Sequence, residues 1–324
     1  MTTVLLTGGT GFVGQHVTRA LLEHPASPEI RLLVHRTPPA TVDHRLLPFE
    51  ADLGVPASLG GICGGVDAVI HLASYLGGDD AQCTRINAEG TEALADLARG
   101  AGAHRFVYLS NAAVYGWASH SGAAEDDVTV APATPISRSR ARAERAVSAV
   151  AGTIVRPLFV DGEGDTRFVP TIMRALRRTP FLIGGGRARL STISVQDLAR
   201  AVVALTLSVP APTAGGVFHA NDQCPVSFRE MAEQITREFG GHLPRLSVPY
   251  QIGRTLLRWR ADRSLGTATW TASAAHRLFL VSHDHWYDSE RLWGLLGWAP
   301  SSSFCDRLPA AHAWYQRLAD RGMS

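Results

Sequence analysis

Short runs of apolar and β-branched residues alternate with longer amphipathic stretches through the first half of the chain. The predicted strands are Thr3–Thr7, Ile30–Val34, Leu46–Ala51, Ala68–Leu72, Arg105–Ser110 and Thr153–Arg156. Apolar residues recur at helical spacing between them, which predicts helices over Phe12–His24, Ala81–Ala101 and Ser137–Val150. Alternation of this kind is typical of a parallel sheet with crossover helices. We therefore predict an α/β fold with a doubly wound parallel sheet.

The pattern changes in the second half of the chain. Leu190–Val195 and Gln196–Leu207 read as a strand and a helix, and Gly216–Ala220 as one more short strand. Beyond Asn221, helices are joined by loops rich in proline, glycine and tryptophan. We therefore predict a sheet domain together with a smaller, mostly helical C-terminal subdomain that binds the substrate. The predicted boundaries are 1–157 with about 188–222 for the sheet domain, and about 158–187 with 223–324 for the subdomain.

Composition excludes several classes of function. The net charge of +2 indicates no nucleic acid or other polyanionic partner, and no apolar run has the length of a membrane span. The four cysteines lie far apart and predict neither a zinc site nor disulfides. With no signal peptide expected, we predict a cytoplasmic protein with reduced thiols. The chain contains 31 arginines and no lysine. This excludes every catalytic mechanism that requires a lysine side chain.

A glycine-rich turn directly after the first predicted strand is the strongest motif. The sequence Thr7-Gly8-Gly9-Thr10-Gly11-Phe12-Val13-Gly14 satisfies G-x-G-x-x-G between a strand and a helix. Glycines are needed there because the backbone turns tightly and approaches a pyrophosphate at the helix N-terminus. This context predicts a Rossmann-type dinucleotide site. Its predicted contacts are Gly8, Thr10, Gly11, Phe12, Val13 and Gly14.

The end of the second strand indicates which dinucleotide is bound. A site that prefers NAD carries an acidic residue there for the ribose hydroxyls, whereas this chain has His35 and Arg36. A guanidinium binds phosphate oxygens in a planar fork, so Arg36, helped by His35, suits the 2′-phosphate of NADP. The alternative is a solvated arginine in a loop. The predicted cofactor is NADP(H).

Further segments resemble the extended short-chain dehydrogenase/reductase family, which includes sugar-nucleotide epimerases and dehydratases. They are Ala51-Asp52-Leu53, His71-Leu72-Ala73-Ser74, Ile86 to Thr91, Val155-Arg156-Pro157, Ile193 to Ala199, Tyr287-Asp288-Ser289 and Leu296-Gly297-Trp298. The resemblance covers nearly the whole chain and implies a Rossmann fold and a nicotinamide cofactor. It also implies further cofactor contacts from Asp52, Leu53, Leu72, Ala73, Ser74, Arg140 and Pro157.

The catalytic positions depart from the family pattern. Relative to the Val-Tyr-Gly turn at Tyr115, the family's Ser or Thr position holds Asn111. The family's Tyr-x-x-x-Lys pair falls on Ile136 and Arg140, and no lysine exists elsewhere to replace it. We retain Asn111 and Tyr115 as candidate catalytic residues, because an amide or a phenol can donate a proton or hydrogen bond to a carbonyl oxygen. Tyr75, Ser110 and His120 are candidate substrate contacts and alternative donors.

Three functions fit these residues. The first is an NADPH-dependent ketoreductase for a flat polycyclic aromatic ketone, similar to ketoreductases of polyketide antibiotic biosynthesis that lack the same residues, with the proton supplied by substrate or water. The second is a non-catalytic NADP-binding sensor or scaffold, and the third is a sugar-nucleotide epimerase or dehydratase. We expect a small-molecule substrate and a monomer or homodimer.

Two other features remain open at this point. Six of the seven tryptophans follow residue 250, and they either fill the core or line a pocket for an aromatic ligand. Arg187 and Arg189 follow three glycines and either bind a substrate anion or lie in a solvated turn. His283-Asp284-His285 is read as a polar loop, and no metal site is predicted.

Overall fold

A seven-stranded parallel sheet forms the centre of the molecule in a computed structural model, which describes residues 2–210, 215–264 and 272–320. Its strands are β1 (Thr3–Thr7), β2 (Glu29–Val34), β3 (Leu46–Glu50), β4 (Ala68–His71), β5 (Arg105–Leu109), β7 (Thr153–Arg156) and β12 (Gly216–His219). They are ordered β12-β7-β5-β4-β1-β2-β3, and each neighbouring pair runs parallel. The predicted doubly wound sheet is confirmed.

Helices cover both faces of this sheet because the strands are apolar on both sides. The flanking helices are α1 (Phe12–Glu23), α3 (Gly90–Gly100), α4 (Pro135–Ala149), α6 (Val195–Leu207) and α10 (Glu290–Leu296). Residues of α1, α6 and α10 form the apolar core on one face, and residues of α3 and α4 form it on the other. A parallel sheet buried on both faces is the expected arrangement for such strands.

The predicted helix over Ala81–Ala101 is divided in the structure. It begins as the short helix α2 (Asp80–Gln82), continues as a π-helical turn over Cys83–Glu89 and ends as α3. The extra residue per turn redirects Asn87, which is buried and bonded to the loop after β4. Such π-turns occur often at functional sites.

The second part of the molecule packs beside the sheet. Its helices are α5 (Phe168–Arg178), α7 (Phe228–Phe239), α8 (Tyr250–Ser264), α9 (Ala272–Ser282) and α11 (Phe304–Asp320). Its strands are β6 (His120–Ala123), β8 (Phe159–Asp161), β9 (Phe181–Ile183), β10 (Arg189–Leu190), β11 (Thr192–Ser194), β13 (Val226–Ser227), β14 (Leu246–Val248) and β15 (His285–Tyr287). They form one four-stranded and two two-stranded sheets. The helical C-terminal region is therefore present, with more strand than expected.

The predicted strand Leu190–Val195 is two strands that belong to different sheets. β10 pairs with β13 and β15, whereas β11 pairs with β8. Ser191 separates them: its amide donates to the carbonyl of His285, and its hydroxyl accepts from the amide of Tyr287. The chain therefore changes sheets at one residue, a step that an uninterrupted apolar run does not indicate.

The tryptophans serve mainly in packing. The ring centroids of Trp293 and Trp298 lie 5.1 Å apart in the core beneath the central sheet. Trp314 packs against the core of the second part. Trp117 and Trp259 are about half exposed. Trp270 lies outside the described residues. All four cysteines are free thiols.

One arginine connects the last helix to two earlier segments. Arg307 of α11 donates to the carboxylate of Asp161 at 2.7 Å and to that of Asp222 at 2.9 Å. Both carboxylates are almost fully buried, and the hydroxyl of Thr192 donates to Asp222. The arrangement compensates two buried negative charges with one guanidinium.

A buried histidine connects strands β1 and β4 to helix α3. The Nδ1 atom of His71 accepts from the hydroxyl of Thr7 at 2.6 Å, and its Nε2–H donates to Thr91 Oγ1 at 2.8 Å. The Thr91 hydroxyl in turn donates to the carbonyl of Asn87. Burial, with a smaller contribution from the charge of Arg140, lowers the pKa of His71 to about 3. The imidazole is therefore neutral.

We predict that Arg307→Gln lowers the free energy of unfolding by about 3 to 5 kcal/mol, because it leaves buried carboxylates without a counter-charge. Urea unfolding followed by circular dichroism measures the change. Arg178→Gln, at an exposed position on α5, is the control and is expected to change stability by less than about 0.5 kcal/mol. A loss below about 1 kcal/mol for Arg307→Gln would contradict the assigned role.

We also predict that stability falls between pH 6 and pH 4 in part because of His71. Its pKa is lowered in the folded state, so the unfolded chain binds the additional proton in this range and stability is lost as the pH falls. The contribution is about 1.4 kcal/mol per pH unit. His71→Gln, which cannot titrate, should show a shallower slope in urea unfolding at pH 4, 5 and 6. An unchanged slope would show that His71 does not set this dependence.

Candidate functional site

The predicted dinucleotide turn lies at the carboxyl end of β1, against the loop after β4. Gly8 has a φ of +71°, and a Cβ there would lie 2.6 Å from the amide nitrogen of Ala73. A Cβ at Gly14 would overlap the carbonyl oxygen of Gly8. These close approaches require glycine, and they leave the N-terminus of α1, where Gly11 is exposed, open to a ligand. The turn therefore has the form that a pyrophosphate needs.

The ends of β2 and β3 form the next part of this edge. The Nε2 atom of His35 lies 3.4 Å from Asp52 Oδ2, while Asp52 Oδ1 accepts from the amide of Gly54. Arg36 is exposed and has no ion pair within the described part of the chain. Leu53 is buried beneath this corner. His35 thus lies next to Asp52, a predicted cofactor contact, and Arg36 remains available for a phosphate.

The loop after β4 is held in place by Asn87. The side-chain oxygen of Asn87 accepts from the amide of Tyr75 at 2.6 Å, and its amide group donates to the carbonyl of Tyr75 and to Ser139 Oγ. Ser74 Oγ also lies 3.4 Å from the Asn87 oxygen. The predicted contacts Leu72, Ala73 and Ser74 therefore lie along one side of the cleft. Asn87 was not predicted as a site residue, although the quoted Ile-Asn-Ala-Glu-Gly-Thr segment contains it.

The family's Ser or Thr position lies at the end of β5. Asn111 accepts from the amide of Ala113 at 2.8 Å through Oδ1 and donates to the carbonyl of Leu158 at 2.9 Å through Nδ2. Its amide group keeps one N–H for another acceptor. The neighbouring Ser110 is 2% exposed, and its hydroxyl has no partner among the described residues. Two hydrogen-bond donors are thus present at this position.

The family's Tyr and Lys positions lie on the first turns of α4. The helix begins after Thr134, whose hydroxyl accepts from the amide of Ser137. Ile136 and Arg140 are both half-buried, and the Arg140 guanidinium donates to the carbonyl of Leu109 at 3.2 Å. Arg140 has no carboxylate partner in the described ranges. It brings positive charge to the carboxyl edge of the sheet but supplies no acid.

Tyr115 is part of a buried polar network. It is 1% exposed, its hydroxyl accepts from Arg156 at 2.8 Å, and it lies 2.6 Å from His219 Nε2. His219 Nδ1 lies 3.0 Å from the carbonyl of Asp288, which leaves Nε2 to accept the Tyr115 proton. Burial raises the pKa of Tyr115 to about 12. The phenol is thus occupied and shielded, so we do not retain it as a proton donor to substrate.

The rest of this network neutralises a buried charge. Arg156 is held by two hydrogen bonds from its guanidinium to the carboxylate of Glu144, at 2.8 and 2.5 Å. Glu144 lies on α4 and Arg156 ends β7, so the pair fixes the helix that carries Arg140 to the sheet. Neither Glu144 nor this pairing follows from a motif, because the two residues are joined only by the fold.

His120, a candidate substrate contact, lies beside Tyr115. Its ring centroid is 5.6 Å from those of Tyr115 and Tyr287, and its Nε2 atom is buried without a partner in the part of the chain that is described. Burial lowers the pKa of His120 below its usual range. Its strand β6 pairs with β15, which places Tyr287 next to it. His120 is therefore neutral and lies within an aromatic cluster.

The sequence His283-Asp284-His285 also serves the packing of strands. His285 lies 2.8 Å from the carbonyl of His283 and 3.0 Å from that of Ala118, while the Asp284 carboxylate accepts from the amide of Arg189. The guanidinium of Arg189 lies over the ring of Trp286. Within the described residues, no group of three or more His, Cys, Asp or Glu side chains is arranged to hold a metal.

The carboxyl edge of the sheet has the elements of a dinucleotide site, but its catalytic positions are unusual. The glycine turn and the Asn87-bound loop lie side by side there, and Arg36 and Arg140 bring positive charge to the ends of β2 and β5. Of the other predicted contacts, Pro157 accepts through its carbonyl from the amide of Ala112. Phe12 contacts Gly164 on the far side of the turn. Neither a tyrosine nor a lysine occupies the position where the resemblance implies the family's proton donor. The arrangement can bind and orient a cofactor and a substrate, but it lacks the tyrosine that serves as proton donor in the family pattern.

Comparison with known proteins agrees with this geometry. A family model described as the NAD dependent epimerase/dehydratase family matches residues 4–219. Ceramide reductase from Caulobacter vibrioides is 31% identical over 209 residues, which cover 62% of this chain and 60% of that protein. 2-Alkyl-3-oxoalkanoate reductase from Stenotrophomonas maltophilia is 27% identical, covering 93% of this chain and 95% of that protein.

A third relative is a ketoreductase from Stigmatella aurantiaca that acts on 4-hydroxy-2-methyl-3-oxo-4-farnesyl-3,4-dihydroquinoline-1-oxide. It is 28% identical over 281 residues, which cover 82% of this chain and 80% of that protein. Among solved structures, WbmH of Bordetella bronchiseptica in complex with NAD+ aligns with a TM-score of 0.74 at 19% identity, over 98% of this chain and 99% of that one. This likeness shows the fold.

The described residues include no helix that combines the length and apolar character needed to cross a membrane.

A nicotinamide cofactor is supported by the glycine turn, by the strand order and by the family to which the chain is matched. The protein is accordingly a pyridine-nucleotide-dependent oxidoreductase. The chain belongs to the NAD-dependent epimerase/dehydratase family, within the extended short-chain dehydrogenases/reductases.

Proposed function

We propose that the protein is an NADPH-dependent ketoreductase for a flat polycyclic aromatic ketone of the polyketide type, and that the substrate or water supplies the proton. The observation that carries this proposal is the combination of a complete dinucleotide cleft with Ile136 and Arg140 at the positions of the family's proton donor and its lysine. Cofactor binding and hydride transfer depend on the dinucleotide site. The missing tyrosine affects only the transfer of a proton to the carbonyl oxygen.

Three features support NADPH over NADH. The end of β2 carries no acidic side chain that would repel a 2′-phosphate. Arg36 is exposed without an ion pair among the residues described, so its guanidinium is free to bind phosphate oxygens. His35 adjoins Arg36 and brings an imidazole, rather than a carboxylate, to the end of β2. Bound in this cleft, NADPH would supply the hydride.

The protein's own side chains would bind the cofactor and the substrate and orient them. The hydroxyl of Ser110 and the remaining N–H of Asn111 are donors for the carbonyl oxygen as negative charge develops on it. Arg140 would hold ribose hydroxyls, but a guanidinium does not release its proton near neutral pH. Ile136 puts an apolar side chain where the family's tyrosine would stand, so no acid of the protein competes with the substrate's own hydroxyl there.

The proton is proposed to come from a hydroxyl next to the reacting carbonyl. The carbonyl carbon accepts hydride, the π electron pair moves to oxygen, and that oxygen takes the proton of the neighbouring hydroxyl, which water then replaces. The name of the Stigmatella aurantiaca relative places a 4-hydroxyl beside a 3-oxo group in the partly saturated ring of a quinoline, so a ketone with an adjacent hydroxyl is the named substrate of a similar protein. That likeness supports a substrate with an adjacent hydroxyl.

We predict that Arg36→Gln weakens NADPH binding about tenfold to a hundredfold, because hydrogen bonds to a charged phosphate are lost. NADH affinity should stay the same, since NADH has no 2′-phosphate. Isothermal titration calorimetry with each cofactor measures both values. Arg19→Gln, at an exposed position on α1, serves as the control. Equal loss for NADPH and NADH, or similar affinity of the unmodified protein for both, would refute the role of Arg36.

We predict that turnover depends on the hydroxyl of the substrate rather than on a side chain of the protein. With 1-hydroxyanthraquinone and its 1-methoxy analogue, NADPH oxidation at 340 nm should be slower for the ether by about 10² to 10⁴, the usual contribution of a positioned acid. Tyr75→Phe should leave the rate with the hydroxy compound unchanged. A large loss in Tyr75→Phe would assign the proton to the protein. Tight NADPH binding without oxidation by any such ketone would favour the sensor or scaffold.

A further inference from the structure

Helix α8 carries an apolar face that is exposed to solvent. Ile252, Leu256 and Trp259 are spaced by four and three residues, so their side chains share one face of the helix. These residues are 52%, 42% and 54% exposed. Another side of the helix is attached to the molecule at Gly253, where a Cβ would lie 2.7 Å from the side chain of Ile183 on β9. The helix therefore packs through its Gly253 side and presents the apolar face to solvent.

Strand β14 adds to this exposed apolar area. Leu246, at the start of the strand, is 64% exposed. Only Pro249 separates β14 from α8, and β14 pairs with β9, against which α8 packs. The strand and the helix are thus parts of one small unit of the fold. Exposed apolar side chains are normally scattered singly over a protein surface, whereas the segment 246–259 holds four large ones.

The segments that form this unit carry only positive charge. No Asp or Glu occurs between Asp165 and Asp197, the interval that contains α5 and β9. None occurs between Glu238 and Asp262, the interval that contains β14 and most of α8. The exposed arginines of the two intervals are Arg167, Arg177, Arg178, Arg187, Arg189, Arg245, Arg254 and Arg258. A chain with a net charge of only +2 thus concentrates arginine in this unit.

Two of these arginines lie at one edge of the sheet that β9 and β14 form. Arg178 is the last residue of α5 and is separated from β9 by two residues, and Arg245 directly precedes β14. Because the two strands run parallel, both arginines lie where the strands begin. Arg254 lies on α8 itself. Arg178, Arg245 and Arg254 are exposed and form no ion pair with any residue that the structure describes.

Helix α7 packs against α5 and carries three glutamates, which have partners of their own. Glu230 accepts from the hydroxyl that caps its own helix at 2.7 Å. Glu233 lies 3.5 Å from Arg229, and Glu238 lies 3.4 Å from His312. In the described structure, none of these carboxylates is paired with an arginine of α5 or with Arg245 or Arg254.

We infer that this part of the molecule binds the anionic surface of a lipid bilayer. The basic apolar surface that makes the contact consists of four apolar and four basic residues, which are Leu246, Ile252, Leu256, Trp259, Arg178, Arg245, Arg254 and Arg258. An amphipathic helix of this kind lies in the plane of a membrane interface, with its apolar face among the upper acyl chains. The arginines would extend to the lipid phosphates, which accept charge-assisted hydrogen bonds. The protein would rest on the bilayer without crossing it, and the inference does not depend on the reaction proposed above.

Other occupants fit this surface less well. A second copy of the chain would bring its own arginines against these and would be repelled. A nucleic acid or an acidic polymer would pair with the guanidinium groups but would leave Ile252 and Leu256 in water. A bilayer offers both an apolar layer and anionic phosphates. Trp259 suits the boundary between them, because an indole combines an apolar ring with a polar N–H.

Vesicle sedimentation with the full chain tests the basic apolar surface. The probes are extruded vesicles of phosphatidylcholine alone and of phosphatidylcholine with about 30% phosphatidylglycerol, which supplies a negative surface potential. We expect the protein to bind the anionic vesicles about tenfold or more tightly than the neutral ones, because each arginine near a negatively charged membrane contributes to binding. Raising the salt to 0.5 M NaCl should remove most of this difference.

The charged and the apolar halves of the surface are varied separately. Arg178→Gln combined with Arg254→Gln should weaken binding to the anionic vesicles about tenfold or more. Ile252→Ser combined with Leu256→Ser should weaken it about tenfold, because less apolar area enters the bilayer. The matched controls are Arg19→Gln, on α1, and Val42→Ser, before β3. Both positions are exposed outside this surface, so both controls should bind like the unmodified protein.

The positions varied are all exposed, so circular dichroism should show the same unfolding midpoint for every variant. Absence of binding to the anionic vesicles, or equal binding to the anionic and the neutral ones, would overturn the inference. Unchanged vesicle binding in the arginine variant would do the same. A loss in the arginine variant with full binding kept by the Ile252→Ser and Leu256→Ser variant would also overturn it, and would assign the surface to a soluble polyanion.

Discussion

The geometry of the cleft depends on one polar chain buried in the sheet. His71 accepts from Thr7 on one side and donates to Thr91 on the other, so β1, β4 and α3 are held in a fixed relation. Only the neutral imidazole can accept at one nitrogen and donate at the other, and burial keeps it neutral. The close approach of Gly8 to Ala73 follows from this relation. The dinucleotide turn and the loop that faces it are therefore held by a hydrogen-bond chain that is fully buried.

The strands and the glycine turn could be predicted because their signals are local. Buried parallel strands are short apolar runs, and β1 and β7 begin and end where the pattern places them. The break at Ser191 and the π-turn around Asn87 could not be predicted, since both depend on partners distant in the sequence. Tyr115 illustrates the same limit. Its phenol is chemically suited to catalysis, and only the fold shows that Arg156 and His219 occupy it.

The substitutions at the catalytic positions form a consistent set. The resemblance implies that the family's lysine lowers the pKa of its tyrosine, so a lysine has no such task once Ile136 stands in the tyrosine position. Arg140 keeps a permanent positive charge close to the strand ends, and Asn111 keeps a donor at the end of β5. The candidate site thus keeps a positive charge and a hydrogen-bond donor, while it has no tyrosine to transfer a proton. A substrate that brings its own hydroxyl would need only what remains.

The position of Arg307 has a consequence for synthesis on the ribosome. Asp161 and Asp222 are made long before Arg307, which lies 146 and 85 residues further along. A nascent chain that has completed the central sheet still has two carboxylates that it cannot bury without cost, because their counter-charge has not yet been translated. The second part of the molecule should therefore stay open until the last helix leaves the exit tunnel. A chain truncated just before α11 would leave exposed the apolar core that Phe304, Leu308 and Tyr315 complete, so proteases and chaperones could distinguish it from a chain that carries this helix.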